Sequence, residues 1–106
     1  MYGTVGRVRV KPGKEAEFLA LGSEEQDLKI PGFRGQFVYR LDRDANEYML
    51  VVLFADKESY FANADSPEQD ARYRKMRELF DAEPEWSDGE IVHAWTKEGQ
   101  VVGEPA

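Results

Sequence analysis

His93 is the only histidine in the chain, and its imidazole is the side chain best suited to proton transfer at neutral pH. A turn signal at Ser87, Asp88 and Gly89 precedes residues 90–96, which we predict to form the last strand, with His93 and Trp95 on one face. On a pocket wall, the imidazole would accept a proton and the indole would stack against a ligand. The plainer alternative is that both are half-buried sheet residues that pack against a partner. A single histidine excludes a two-histidine metal site.

Tyr60, Asn63 and Tyr73 lie in a stretch with helical spacing and could point together into one cavity. Asn63 or Tyr73 could donate hydrogen bonds to an oxygen atom of a ligand, and Tyr60 could contact it. The alternative for each of them is an ordinary place on a helix, in the core or on the surface.

Two groups of charged residues also need an interpretation. Arg7, together with Arg9 and Arg40, could bind an anionic substrate, although internal ion pairs would explain the same residues. Acidic residues surround Trp86 at positions 81, 83, 85, 88 and 90. They lack the regular spacing of a calcium loop, so we interpret them as a solvated acidic loop and predict no metal site.

The composition narrows the class of protein. The chain has 106 residues, 42% of them apolar and 33% charged, as expected of one globular domain. A net charge of −7 argues against nucleic acid and anionic membrane surfaces as partners, because both need a basic face. There is no cysteine, and therefore no disulfide or thiolate chemistry. No run approaches transmembrane length and residues 1–7 lack the apolar core of a signal peptide, so we expect a cytoplasmic protein.

The elements that must position the candidate residues follow from the patterning. Alternation predicts strands over residues 4–10 and 33–41, and an unbroken apolar run predicts a strand over residues 48–54. Helical spacing covers residues 15–28, and a second helical region starts at residue 57 and restarts after Ser66, a good N-cap followed by Pro67. With the strand over 90–96, we predict one domain over residues 1–98 and a tail over 99–106, in which Val101 and Val102 could extend a strand.

This order of elements predicts an α+β, ferredoxin-like βαββαβ fold with a four-stranded antiparallel sheet and the helices on one face. The other face is bare within one chain, yet the run over residues 48–54 is apolar on both sides. We therefore expect a second copy to cover that face, sheet against sheet, in a homodimer. Arg7 and Arg9 would share a face of a central strand and need acidic partners. The candidates are Asp42, Glu47 and Glu90.

Three stretches carry a resemblance to a known family. They are residues 6–15, which lead into the first helix, residues 31–35, which enter the second strand, and residues 54–60, which run from the third strand into the next helix. Over about residues 4–96 the chain resembles the antibiotic-biosynthesis-monooxygenase type of dimeric α+β barrel. The resemblance implies a dimer whose two sheets form a barrel, with a pocket in each subunit between its sheet and its helices.

That family includes cofactor-free oxygenases of aromatic polyketides, haem-degrading enzymes and members without an assigned activity. In a cofactor-free oxygenase the substrate loses a proton and its carbanion reduces dioxygen directly, so the protein supplies a base, hydrogen-bond donors and a dry pocket. The resemblance thus implies oxygenation of a small aromatic or quinone-like compound without a cofactor. The candidate residues form a catalytic and a substrate-binding group: His93, Tyr73 and Asn63 in the first, and Trp95, Tyr60 and Arg7 in the second.

Two alternatives stay open. One is a non-catalytic or stress-associated dimer that carries or senses a small apolar ligand, and the other is a haem-binding protein with His93 as the iron ligand. The haem-degrading branch of the family places an asparagine in the first strand, and a tryptophan and a histidine on the second helical region. Here Gly6 stands at the position of that asparagine, and residues 60–73 contain neither tryptophan nor histidine. Both departures argue against haem breakdown.

Overall fold

A computed structural model describes residues 1–25, 29–95 and 97 of the chain. In chain order its elements are β1 (Tyr2–Arg9), α1 (Glu15–Glu25), β2 (Phe33–Arg40), β3 (Glu47–Phe54), α2 (Lys57–Ala64), α3 (Pro67–Arg77) and β4 (Glu85–Glu90). The strands form one antiparallel sheet in the order β2-β3-β1-β4. The predicted ferredoxin-like α+β fold is confirmed.

The face of the sheet that the helices cover carries the core. On β3 the side chains of Tyr48, Leu50 and Phe54 point to this face and are 1%, 6% and 2% exposed. Val8 of β1 lies opposite Tyr48 in the register, and the ring of Phe18 from α1 packs 4.9 Å from the Tyr48 ring. Burial of each such side chain stabilises the fold by about 1.5–3 kcal/mol. The helices are therefore fixed on the sheet by the alternate residues of its central strands.

The opposite face, which we call the open face, is apolar, and no element among the described residues covers it. Val5, Phe37 and Tyr39 are 41%, 44% and 57% exposed on it. The register places half-buried Val51 of β3 between Val5 of β1 and Phe37 of β2, with Met49 and Leu53 on either side of it along the strand. The side chains of residues 48–54 thus alternate between the face that the helices cover and the open face, and the apolar run supplies apolar residues to both.

The last strand lies earlier in the chain than the sequence predicts. β4 spans Glu85–Glu90, so the expected strand over residues 90–96 is wrong, and Ser87, Asp88 and Gly89 are strand residues rather than a turn. β4 is an edge strand that pairs only with β1, and all of its residues are exposed. Backbone hydrogen bonds hold such a strand without an apolar face, which is why its sequence carries no alternation.

The second helical region is interrupted where predicted. α2 begins after the N-cap Asp56, and α3 begins after the N-cap Ser66, whose hydroxyl accepts a hydrogen bond of 3.1 Å from the backbone N–H of Gln69. Pro67 fills the first turn of α3, where no backbone donor is required. The interruption places Asn63 on α2 and Tyr73 on α3.

Among residues 1–25, 29–95 and 97, no helix is long and apolar enough to span a membrane. Some expectations fall outside these residues, namely the end of the first helix at Leu28, Thr96 of the predicted last strand, and the tail over 99–106 with Val101 and Val102. The domain boundary at residue 98 stays a prediction.

Ion pairs account for the two arginines of β1. Arg7 pairs with Glu47 at 3.1 Å, which was one of the candidate partners. Arg9 pairs with Asp44, and with Asp81 at 3.5 Å, rather than with Asp42 or Glu90. Internal ion pairs, the alternative to anion binding, therefore explain both residues.

Candidate functional site

A cavity of about 320 Å³ lies between the covered face of the sheet and the helices. Much of its wall is apolar and comes from both layers: Phe18, Leu21, Ile30, Leu50, Val52 and Met76. Polar side chains interrupt this wall at a few points: Thr4, Gln36, Asn63, Gln69 and Asp70. Three aromatic residues with polar groups complete it: Tyr60, Tyr73 and Trp86. An apolar cavity of this size with few polar groups suits a small organic molecule.

Tyr60 of α2 is held firmly at one part of the wall. Its ring packs against the rings of Tyr2, Phe54 and Phe61, with centroids 5.2, 5.6 and 5.0 Å away. Its hydroxyl donates a hydrogen bond of 2.8 Å to a carboxylate oxygen of Asp88 on β4. Burial raises the pKa of Tyr60 to about 12, and the hydrogen bond to Asp88 adds to this rise. The phenol therefore stays protonated at neutral pH.

Thr4 of β1 lies directly opposite Asp88 in the register of β1 and β4. It is 7% exposed, and its hydroxyl makes no hydrogen bond of ordinary geometry with any residue that the structure describes. It acts on the Tyr60 hydroxyl in the direction that lowers the phenol pKa, against the effect of burial. Thr4, Tyr60 and Asp88 thus form one polar group at the cavity wall.

Tyr73 and Trp86 form a second polar group. The indole N–H of Trp86 donates to the hydroxyl oxygen of Tyr73 over 3.4 Å, and the two rings meet edge to face with centroids 6.2 Å apart. The indole lies on the backbone of Gly6, where an added Cβ atom would come within 2.1 Å of the ring. Since the Tyr73 oxygen accepts this bond, its own O–H can donate to a ligand.

Asn63 contributes a further donor. Its side-chain oxygen accepts from a guanidinium N–H of Arg72 over 3.4 Å, and Gln69 accepts from the same guanidinium over 3.0 Å. With the oxygen engaged in this way, the amide N–H groups of Asn63 are the part available to a ligand. The helices α2 and α3 therefore bring Tyr60, Asn63 and Tyr73 to the wall of one cavity.

The other three predicted site residues lie elsewhere. His93 and Trp95 follow β4 and are exposed, Trp95 by 74%, and neither lines the cavity. They were placed on a strand face that does not form, because the strand ends at Glu90. Arg7 lies on the open face, opposite the cavity, and is paired with Glu47. The haem-binding alternative, with His93 as the iron ligand, stays a prediction, and the structure places this side chain outside the cavity.

Sequence reasoning missed Thr4, Trp86 and Asp88 as residues of the site. The sequence predicts a solvated acidic loop around Trp86 and Asp88, whereas the register of β1 and β4 turns both side chains toward the helices. One signal was present, since a large indole among acidic residues is unusual in a solvated loop. In the part of the chain that the structure describes, no three acidic or histidine side chains are placed to hold a metal ion.

The electrostatics of the cavity are simple. Among the described residues of its wall, Asp70 is the only one that carries a formal charge, and no arginine or lysine is present. Arg40, a candidate for anion binding, instead donates to the Tyr48 hydroxyl over 3.3 Å. A carboxylate or phosphate group of a ligand would find no cation in this wall, so the cavity suits uncharged compounds.

Comparison with known proteins extends this description. A model of the antibiotic biosynthesis monooxygenase family matches residues 1–75. A search of curated proteins finds no match.

Several solved structures share the fold. A variant of SnoaB, a cofactor-independent oxygenase from Streptomyces nogalater, has a TM-score of 0.75 at 18% identity, covering 88% of this chain and 94% of its own. An antibiotic biosynthesis monooxygenase candidate from Bordetella bronchiseptica has a TM-score of 0.74 at 21% identity, covering 87% and 97%. A conserved protein from Methanosarcina mazei has a TM-score of 0.72 at 23% identity, covering 83% and 89%. At these identities the similarity establishes the fold alone.

Proposed function

The chain belongs to the antibiotic biosynthesis monooxygenase family, and from this premise we propose that it oxygenates a small aromatic or quinone-like compound with dioxygen, without a cofactor. The observation that carries the proposal is the apolar cavity, into which two helices present the donors of Asn63 and Tyr73. The fold similarity to a cofactor-independent oxygenase is consistent with it.

The chemistry required of the protein is limited. A ring methylene conjugated with a carbonyl, or the keto form of a phenol, loses a proton to solvent, because His93 lies outside the cavity, and the carbanion reduces dioxygen. One oxygen atom ends as a new carbonyl on that carbon and the other leaves as water, so that a CH₂ group and O₂ give C=O and H₂O. Asn63 and Tyr73 hold the substrate oxygen on which the negative charge is delocalised, and the apolar wall keeps bulk water from the carbanion.

Oxygen uptake tests this proposal. Purified protein should consume dioxygen with an anthrone or a hydroxynaphthalene, and Tyr73→Phe or Asn63→Ala should lower kcat by roughly 100-fold, the usual effect of losing one donor to a developing oxyanion. Tyr39→Phe, the same change on the open face, is the matched control and should keep the rate. Equal rates in the three variants and the parent would contradict the assigned roles.

A second candidate is a non-catalytic dimer that carries or senses a small apolar ligand. It is favoured by one observation, the position of His93 outside the cavity, which removes the imidazole expected to act as base. Binding of the same aromatic compounds without oxygen uptake would support this candidate over the oxygenase.

We also propose that the working form is a homodimer joined through the open face. The family is typically dimeric, and the exposed Val5, Phe37 and Tyr39 form the kind of apolar surface that a soluble chain covers with a partner. A two-fold axis through this face would place the sheets against each other and leave the two cavities on the outside.

A further inference from the structure

We propose that Tyr60, with Asp88 and Thr4 around its hydroxyl, is a subsite that recognises an uncharged hydroxyl group on the ligand. The inference names the class of ligand for the proposed cavity site and rests on the proposed function only in assuming that this cavity binds a small aromatic compound. Tyr60 is a specificity-determining residue in this proposal, and Asp88 is a positioning residue that acts through it.

The direction of one hydrogen bond is the first support. The Tyr60 proton is directed at Asp88 over 2.8 Å, so the phenol oxygen presents lone pairs to its surroundings. A ligand hydroxyl can donate to those lone pairs, whereas an ether or ketone oxygen has no proton to donate. Three neighbouring rings, those of Tyr2, Phe54 and Phe61, keep the phenol in this orientation. The subsite is therefore formed before a ligand arrives.

The second support is the unused hydroxyl of Thr4. It is more than nine-tenths buried at the cavity wall and makes no hydrogen bond of ordinary geometry with the described residues, although it is close enough to the Tyr60 hydroxyl to lower the phenol pKa. Buried polar groups normally have a partner, and an unpaired one at a cavity marks a place where a ligand atom would complete the bonding. Thr4 and Tyr60 together offer one polar point in an otherwise apolar part of the wall.

The third support is the charge around the subsite. Asp88 lies behind the phenol and Asp70 is in the wall, with no arginine or lysine among the described wall residues. Asp70 is paired with Arg74 at 2.9 Å, so Asp88 is the negative charge that an ionised carboxylate or phenolate at Tyr60 would meet, while a neutral hydroxyl would not be repelled by it. The raised pKa of Tyr60, about 12, agrees with this, since the same surroundings disfavour a negative charge on the phenol itself.

Binding of three naphthalene probes tests the proposal. The chain has two tryptophans, so Trp95→Phe leaves Trp86, at the cavity wall, as the sole indole reporter. Quenching of its fluorescence is titrated with 1-naphthol, 1-methoxynaphthalene and 1-naphthoate. We expect 1-naphthol to bind about 10-fold more tightly than the methyl ether, the difference that one hydrogen bond makes, and naphthoate to bind most weakly.

When Tyr60→Phe is added to the Trp95→Phe variant, the affinities for 1-naphthol and 1-methoxynaphthalene should differ by no more than about two-fold, chiefly because naphthol binds more weakly. Tyr39→Phe, on the open face, should leave the ratio of the two affinities unchanged. Since both probes are measured on each protein, differences in their hydrophobicity cancel from this comparison. Asp88→Asn, at an exposed position, is a second variant that does not depend on the fold tolerating Tyr60→Phe, and it should lower the ratio about two- to five-fold.

An unchanged ratio in Tyr60→Phe and Asp88→Asn, naphthoate binding as tightly as naphthol, or no binding of any probe would each overturn the subsite. The oxygenase proposal fails separately. If the protein discriminates the hydroxyl but takes up no oxygen, the subsite proposal stands and the oxygenase proposal fails. If it takes up oxygen without discriminating the hydroxyl, the oxygenase proposal stands and the subsite proposal fails.

Discussion

Gly6 is a residue whose missing side chain shapes the site. The indole of Trp86 occupies the space where a Cβ atom would lie, at 2.1 Å from Cζ3 of the ring. Only glycine allows this approach, so the identity of residue 6 sets the position of one wall of the cavity and of the donor to Tyr73.

Gly6→Ala should therefore displace the indole and destabilise the protein by about 1–3 kcal/mol, the usual effect of overpacking a tight site. Trp86 emission in the Trp95→Phe background should shift to longer wavelength as the ring moves into water. Gly89→Ala is the control, because an added Cβ at that position of β4 meets nothing within 4 Å. An unshifted spectrum in Gly6→Ala would mean that the indole is not held by this contact.

The raised pKa of Tyr60 should make the stability of the protein depend on pH. The folded protein holds the phenol proton more tightly than the unfolded chain, since burial raises the pKa from 10.0 to about 12. The resulting stabilisation is complete below pH 10 and is lost as pH rises through 12. The free energy of unfolding of the parent should thus fall toward that of Tyr60→Phe between about pH 10 and about pH 12, as followed by urea unfolding. A constant difference between the parent and Tyr60→Phe over this range of pH would contradict the raised pKa of Tyr60.

The residue scale also shows the limit of sequence reasoning. Tyr60 and Asn63, three positions apart on α2, share a face that helical spacing predicts, whereas Tyr73 lies on α3 and depends on how that helix packs. The bond between Tyr60 and Asp88 joins residues 28 positions apart, and it depends on the register of β1 and β4, which no local pattern encodes. Arg7 was misplaced for the related reason that the two faces of a strand cannot be assigned without knowing which one the helices cover.

Among the elements, the connection from β2 to β3 is fixed more firmly than its polar sequence indicates. Asp44 accepts from the backbone N–H of Asn46 over 2.9 Å and pairs with Arg9, and the Asn46 side chain donates to Glu15 at the start of α1 over 2.6 Å. One short connection thus joins the hairpin, β1 and a helix.

The carboxylate of Asp44 should contribute to stability only while it is ionised. The Asn46 N–H and the Arg9 guanidinium hold its pKa below the ordinary value of 3.8. The contribution is present above that value and is lost as pH falls through the lower pKa of the folded state. Asp44→Ala should therefore lower the Tm by a few degrees at neutral pH, and the difference from the parent should shrink in acid, as measured by calorimetry.

Asp42→Ala, at an exposed position of the same connection, provides the comparison. It should change the Tm little at either pH, and a loss equal to that of Asp44→Ala would attribute the effect to the net charge of the connection rather than to its bonds.

β4 shows why an element can escape sequence reasoning. A central strand such as β3 can be recognised from the sequence because burial selects a run of apolar residues. An edge strand is selected only for backbone pairing, so the polar segment Glu85–Glu90 looked like a loop while the more apolar residues 91–95 looked like a strand. The error moved His93 and Trp95 into the predicted site and kept Trp86 and Asp88 out of it.

For the whole molecule, the open face is the feature that calls for a partner. Val51 sits at its middle, between Val5 and Phe37. A charge at this position would have to be buried without a counterion in the proposed homodimer, and would face water in a single chain.

In light scattering, the parent protein should have a mass of twice 12.1 kDa and Val51→Asp a mass of 12.1 kDa. Ala62→Asp, which adds the same charge at an exposed position of α2, should leave the mass unchanged. A parent protein that already scatters as a single chain at micromolar concentration would remove the homodimer proposal.

One strand, β3, supplies both the floor of the cavity and the centre of the open face. Its alternate residues can vary independently, yet they share one backbone. If a bound compound strengthens the proposed dimer through this backbone by some factor, dimer formation must strengthen binding of the compound by the same factor, since thermodynamic linkage is reciprocal. A change in the fraction of dimer would then change the affinity of the cavity for its ligand, although the ligand does not contact the other subunit.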